Sequence, residues 1–203
     1  MLFYNTPSPA PNPRRVRIFA AEKGIELPTK DVSLIAGEHK AEDYLKINPR
    51  GQTPALQLDD GSALSESVAI CKYLEGLHPE PNLFGTDMHE AAFVEMWNRR
   101  VEMALMSPVG QVWVHTHPFT AAIPWRNAEW GETNRPFAES AFRFFDDSLE
   151  GREFIASDRF TISDILLLTT FDFAQFVGCG APEDCANLQA WHERVSARPS
   201  ATA

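Results

Sequence analysis

Cysteine is scarce. The 203 residues hold three, Cys71, Cys179 and Cys185, odd in number and without a C-x-x-C spacing. A disulfide framework and a cysteine-built zinc site are therefore excluded, and a reducing compartment is expected. No apolar run approaches the ~18 residues of a membrane span. Basic residues are in the minority: 18 Lys and Arg stand against 28 Asp and Glu, a formal net charge of −10. Nucleic acid and anionic membrane surfaces, which call for a dense positive face, are excluded as partners. The opening Met-Leu-Phe-Tyr-Asn-Thr-Pro carries no basic n-region and no long apolar core, so a cytoplasmic location is expected. Internal repeats and low-complexity segments are absent too. What remains is ordinary for a globular chain: 44% apolar and 23% charged residues, long enough for one large domain or two small ones.

Strand and helix signals alternate through residues 1–78. Leu2-Phe3-Tyr4 reads as a short strand. Asn12-Pro13 reads as the cap and first position of a helix with Val16, Phe19 and Ala20 on one face, ended by Gly24. Asp31-Val32-Ser33 reads as a weak strand and Ala41 to Leu45 as a short helix. The order β-α-β then α-β-β-α predicts a small α/β layer domain over 1–78. A Pro-rich linker over 79–86 follows, and after it strand signals vanish. Residues 87–203 read as an all-helical domain. Its long helix over 87–116 is expected to kink or split at Pro108 and Gly110. Residues 118–133, with Trp125 and Trp130, read as a loop, and Asn134-Arg135-Pro136 as the next helix start. Thr161-Ile162-Ser163-Asp164 is a capping box opening a helix apolar nearly all round, which predicts burial at a domain centre.

The most informative stretch is residues 48–74. It reads as a loop, a Thr53-Pro54 step, a hairpin turning at Asp59-Asp60-Gly61, and a helix with Ser65 as its N-cap. A proline at the first residue of a strand, in cis, fixes an open backbone edge. A helix N-terminus carrying Glu66 and Ser67 lies next to it in sequence. Unpaired backbone groups beside a helix start suit a small peptide that bears a free carboxylate and a free amine.

Gly37-Glu38-His39-Lys40, Asn48-Pro49, Gly51-Gln52-Thr53-Pro54 and Glu66-Ser67, in this order and approximate spacing, resemble the glutathione S-transferase family, with the first run most like the phi class and its bacterial relatives. The resemblance spans almost the whole chain. It implies a thioredoxin-like first domain, an all-helical second domain and glutathione as co-substrate without a metal. His39 and Lys40 would reach the glycine carboxylate of glutathione. Gln52 and the backbone of Thr53, held by cis Pro54, would pair with the cysteinyl unit, and Glu66 and Ser67 would take the γ-glutamyl end. The resemblance further implies a small apolar electrophile at the interdomain cleft, and a homodimer pairing the first domain of one subunit with the helical domain of the other. Structural readings stand beside these: Ser65 or Ser67 as a mere helix cap, Lys40 as a solvated charge.

Chemistry in the family rests on thiol activation, since a free thiol is only about 3% thiolate at pH 7. Counting from Arg14-Arg15-Val16, relatives place a Ser or Cys where this chain has Ala10, which offers neither hydroxyl nor thiol. Asn12 resembles the sulfur-facing Asn of nu-class relatives, and capping the helix is compatible with that role. Ser8 fills the place if the loop is shifted, and Thr6 is a weaker option. Tyr4 lies too early and reads as core. Slow conjugation is expected, with glutathione-dependent disulfide or peroxide reduction, or non-catalytic binding, as alternatives. His115-Thr116-His117 has no third ligand nearby, so no metal is expected. Trp113 and His115 are placed as candidates lining the acceptor pocket, with packing as the structural reading.

Overall fold

In the computed structural model, which describes residues 1–203, β1 (Leu2–Asn5) leads into α1 (Pro11–Glu22). The helix starts earlier than expected. Ala10, extended at φ −61 and ψ 113, is its N-cap, Pro11 its first residue, and Asn12 lies one position inside. Pro11 explains the shift: its ring presets the helical φ and forces the residue before it into extended geometry. Val16, Phe19 and Ala20 are buried along one face as the periodicity predicts, and Arg15 is buried with them.

β2 (Thr29–Asp31) pairs parallel to β1, two residues earlier than the sequence suggests. All three of its residues are exposed, so it carries no apolar alternation to read. A 3-10 turn at Glu38–Lys40 and α2 (Glu42–Ile47) follow. β3 (Ala55–Gln57) and β4 (Ala63–Ser65) form the hairpin, giving a sheet of order β2-β1-β3-β4 with Phe3 opposite Thr29 on one side and Leu56 on the other. α3 (Ser67–Leu77) then begins abruptly. Ser65 is not its cap: it pairs with Ala55 as the last rung of β4, and Glu66 alone makes the turn. One sheet face carries Tyr4, Val32, Tyr44 and Ala55, with Leu2 and Ile47 packed against them; Tyr4 is core, as expected. Alternation along β1 turns Phe3 to the opposite face, where α1 and α3 pack.

The remaining helices are α4 (Met88–Arg100), α5 (Ser107–Thr116), α6 (Ala128–Thr133), α7 (Arg135–Ser148), α8 (Ile162–Val177) and α9 (Ala186–Ser196). The long helix does not break at Gly110. It widens into a π segment at Val101–Met106, one turn ahead of Pro108, whose missing N–H and bulky ring make a regular α-turn there costly. The expected loop over 118–133 contains a 3-10 turn at Pro118–Thr120 and α6, capped by Asn127 accepting from the Trp130 N–H. The capping box at Thr161 forms as expected. Fully buried Asp164 accepts from the backbone N–H groups of Thr161 and Ile155 and from Trp191 Nε1, each at 3.0 Å. α8 is buried almost throughout.

The chain divides into two compact units, Met1–Leu83 with Pro199–Ala203, and Phe84–Arg198. The terminal 3-10 turn Pro199–Thr202 groups with the first unit, where the Arg14 guanidinium donates to the Ala201 carbonyl at 2.9 Å. No helix is long and apolar enough to cross a membrane.

Candidate functional site

The loop 48–53 is held from below by three side chains. Tyr44 Oη and Asn48 Nδ2 both donate to the Gln52 carbonyl, at 2.6 and 2.7 Å. Burial, then the nearby Tyr4, pushes the Tyr44 phenol up to about 12, so it stays a donor at any physiological pH. Lys40 Nζ donates to the Gly51 carbonyl at 2.9 Å and the Arg50 carbonyl at 3.3 Å. With the Gln52 carbonyl turned toward Tyr44, planarity sends the Thr53 N–H the opposite way, just ahead of the first ladder rung at Ala55. The Thr53–Pro54 bond is cis. The Gln52 side chain is exposed and accepts from Arg50 Nε at 3.2 Å.

His39 lies beside this loop, its carbonyl facing Gly51. Its Nδ1 is buried without a partner. Burial, then the Lys40 ammonium, pushes its pKa down, so the ring is neutral at pH 7. The two residues of the Gly-Glu-His-Lys run are thus differently occupied: Lys40 spends two donors on the loop backbone, while His39 keeps an unpaired nitrogen.

Glu66 is the only non-glycine residue with positive φ, at 69. A side chain held there costs about 1–2 kcal/mol. The hairpin requires it, because β4 ends at Ser65 and α3 starts at Ser67 with no residue to spare. Ser67, 5% exposed, accepts from Arg15 Nη1 at 3.4 Å. Arg15, 2% exposed, sets a positive charge under the already positive N-terminus of α3. Sequence reading used Arg15 only as a register mark. A charged residue four before Phe19, on the apolar face of α1, was the signal that it points inward.

At the β1–α1 loop, Ala10 caps α1 with its backbone alone. Pro11 and Pro13 remove two of the first three N–H groups of the helix, leaving that of Asn12 as the single orphan donor of the first three positions. Asn12 is half-buried and Ser8 exposed. Thr6 is buried, its hydroxyl bonded to the Val32 carbonyl at 3.0 Å and to Thr53 Oγ1 at 2.8 Å. Of the sulfur-facing candidates, Thr6 is therefore committed elsewhere.

In the second unit, His115 is 8% exposed, and its Nδ1 accepts from the Asn127 N–H at 2.9 Å while its carbonyl accepts from Arg126. Its ring nitrogen fastens the 117–127 loop. Trp113 belongs to an aromatic cluster with His117, Phe119, Phe173 and Phe176, at centroid distances of 4.4 to 6.2 Å. His115 and His117 do not converge, and no three His, Cys, Asp or Glu side chains come together in a metal-holding group.

Two family models match this chain: the one described as glutathione S-transferase, N-terminal domain, over residues 10–77, and the one described as glutathione S-transferase, C-terminal domain, over residues 115–199. The chain is 36% identical to glutathione S-transferase 2 of Saccharomyces cerevisiae over 98% of its own length and 87% of that protein's. The crystal structure of Gtt2 from Saccharomyces cerevisiae superposes with a TM-score of 0.94 at 35% identity, covering 100% of this chain and 99% of that one. A glutathione S-transferase domain-containing protein of Marinobacter aquaeolei VT8 gives 0.93 at 36% identity, covering 98% and 99%. A mixed four-stranded sheet with helices on both faces, followed by an all-helical unit, is the fold these relatives share, and the chain belongs to the glutathione S-transferase family.

Proposed function

We propose that this protein binds glutathione on its first unit and transfers the glutathione thiolate to small apolar electrophiles. The observation that carries the reading is the α3 start: Glu66 held at positive φ, Ser67 next to it, and Arg15 buried beneath, a positive pocket with hydroxyl and N–H donors for an α-carboxylate, and a carboxylate at Glu66 for the amine. The Thr53 N–H, turned outward ahead of β3, suits strand-like pairing with the cysteinyl unit. The remaining donor of Lys40 suits the glycine end, with His39 beside it.

Thiolate formation then falls to the Asn12 amide and the lone N–H of the α1 start, with Ser8 in reserve. The protein positions the thiolate, stabilises its charge and excludes water. With Ala10 in place of a hydroxyl, conjugation is slow. That same feature favours a second reading, reduction of disulfides or peroxides by glutathione, and turnover of an aryl halide against that of a mixed disulfide separates the two. The protein works in the cytoplasm as a homodimer. The exposed side chains of Phe137 and Met103 border a hollow of about 410 Å³ between α7 and the π segment, an apolar face suited to a second copy. Light scattering should give twice 22.7 kDa; the monomer mass at micromolar concentration would refute that.

Ser67→Ala should weaken glutathione binding by about 1–3 kcal/mol, the loss of one bond to a charged group. Calorimetry giving the native dissociation constant would remove the γ-glutamyl end from α3.

A further inference from the structure

Arg17 belongs to none of the expected site residues, yet it reaches from α1 back into the loop that precedes the helix. Its Nη1 donates to Asn5 Oδ1 at 2.6 Å and to the Thr6 carbonyl at 3.2 Å, and its Nη2 lies 3.5 Å from Ser8 Oγ. Asn5 in turn donates through Nδ2 to Asp31 Oδ1 at 2.6 Å. Every acceptor on the guanidinium is thus a neutral oxygen, and the Asp31 carboxylate stands one amide away. Arg17 is half-buried, and the charges that face it are the like charge of Arg14 on the same helix and the Asp31 carboxylate from β2. An arginine so placed stays charged, and its charge is only partly balanced.

We infer that Arg17 is a positioning residue for the thiolate chemistry: it clamps the Thr6–Ser8 stretch and sets a positive charge beside the start of α1. The inference rests on the proposed function. Ser8 is two residues before Ala10, so at most about 7 Å of chain separates the guanidinium's outermost partner from the helix cap. With the 3.5 Å contact to Ser8 Oγ and the length of that side chain added, the guanidinium lies within roughly 13 Å of the helix cap, and a unit charge at about 10 Å, in the effective dielectric of a protein surface and with solvent screening, moves a titration by about half a pH unit. The clamp has a second consequence. Asn5 links Arg17 to Asp31, so the cation's field at the helix start is reduced by an anion lying exposed on β2. Removing the cation and removing the anion should therefore act in opposite directions. Loop disorder, the alternative explanation for any loss of activity, acts in one direction only.

The test is the pH profile of kcat/KM for conjugation of an aryl halide, measured with the native enzyme, Arg17→Met, Arg17→Lys and Asp31→Asn, with glutathione affinity followed by calorimetry. Arg17→Met should raise the apparent thiol pKa by about half a unit, a roughly threefold loss on the acid side of the profile. Glutathione affinity should hold within about twofold. Arg17→Lys should restore most of the pKa, and Asp31→Asn should lower it. An unmoved profile in Arg17→Met and Asp31→Asn, with native glutathione binding, overturns the inference. If Arg17→Met does not fold, the exposed substitution Asp31→Asn decides alone: a lower pKa supports the inference and an unchanged or higher one overturns it. Failure of the native chain to bind glutathione would instead overturn the functional reading, and this inference with it.

Discussion

Gly51→Ala tests how tightly the 48–53 loop is built. Gly51 sits at φ 58, and a Cβ there would lie 2.7 Å from the His39 carbonyl oxygen and 2.9 Å from Lys40 Nζ. An alanine in the left-handed region costs about 1–2 kcal/mol. The lysine tip can swing aside, but the His39 oxygen is backbone, so the 38–40 turn must move or the loop must lift, a further 1–2 kcal/mol or so by the scale of overpacking. The sum is about 2–4 kcal/mol. Gly37 supplies the control: it has φ 74 and nothing within 4 Å of its added Cβ, so Gly37→Ala should cost only the backbone share. Thermal unfolding would read the two, at roughly 2–4 °C per kcal/mol for a chain of this size. Glutathione affinity should fall about tenfold in Gly51→Ala, because His39 and Lys40 shift, and hold within about twofold in Gly37→Ala. Equal destabilisation of the two variants, with equal affinities, would refute the close approach of Gly51 to His39.

Asn12→Ala should lower kcat/KM by ~10–100-fold, about 1.4–2.7 kcal/mol of thiolate and transition-state stabilisation. Since Asn12 does not cap α1, its melting temperature should hold, and loss of activity in Ser8→Ala with full activity in Asn12→Ala would shift the register. Ala10→Ser should speed conjugation if position 10 faces the sulfur; no gain would place the sulfur elsewhere. Glu90 contributes to the pH dependence of the second unit. Arg159, paired at 2.8 Å, and then the Thr86 bonds hold its carboxyl down to about 2. A depressed folded pKa contributes stability that is present above the unfolded value near 4.5 and is lost as pH falls toward 2. Arg159 is partly exposed, so the contribution is about 1–2 kcal/mol after screening. Acid unfolding of Glu90→Gln should show that much less pH dependence in this window; an unchanged acid slope would refute the pairing.

The motifs of the candidate site were legible in the sequence because they are local. The Thr53-Pro54 step, the Gly-Glu-His-Lys run and Glu66-Ser67 each depend on neighbours a few residues away, and so does the capping box at Thr161. Arg15 and Arg17 were not legible as partners. Each is one arginine in the run Arg14-Arg15-Val16-Arg17, and only the rotation of α1 against the sheet and α3 separates their tasks: Arg14 to the terminal turn, Arg15 under Ser67, Arg17 into the preceding loop.

By itself the sequence determined the class of fold, the family, the hairpin and the burial of α8, because hydrophobic period, turn residues and caps act over one or two turns of chain. Tertiary structure decided the rest. Pairing of Ser65 with Ala55 left Glu66 to make the turn into α3 at positive φ. His115 became a fastener of its loop once Asn127 folded back on it. In each case the deciding partner lies far along the chain or competes for the same residue, and a side chain's hydrogen bonds are assigned only when the fold has chosen which groups meet.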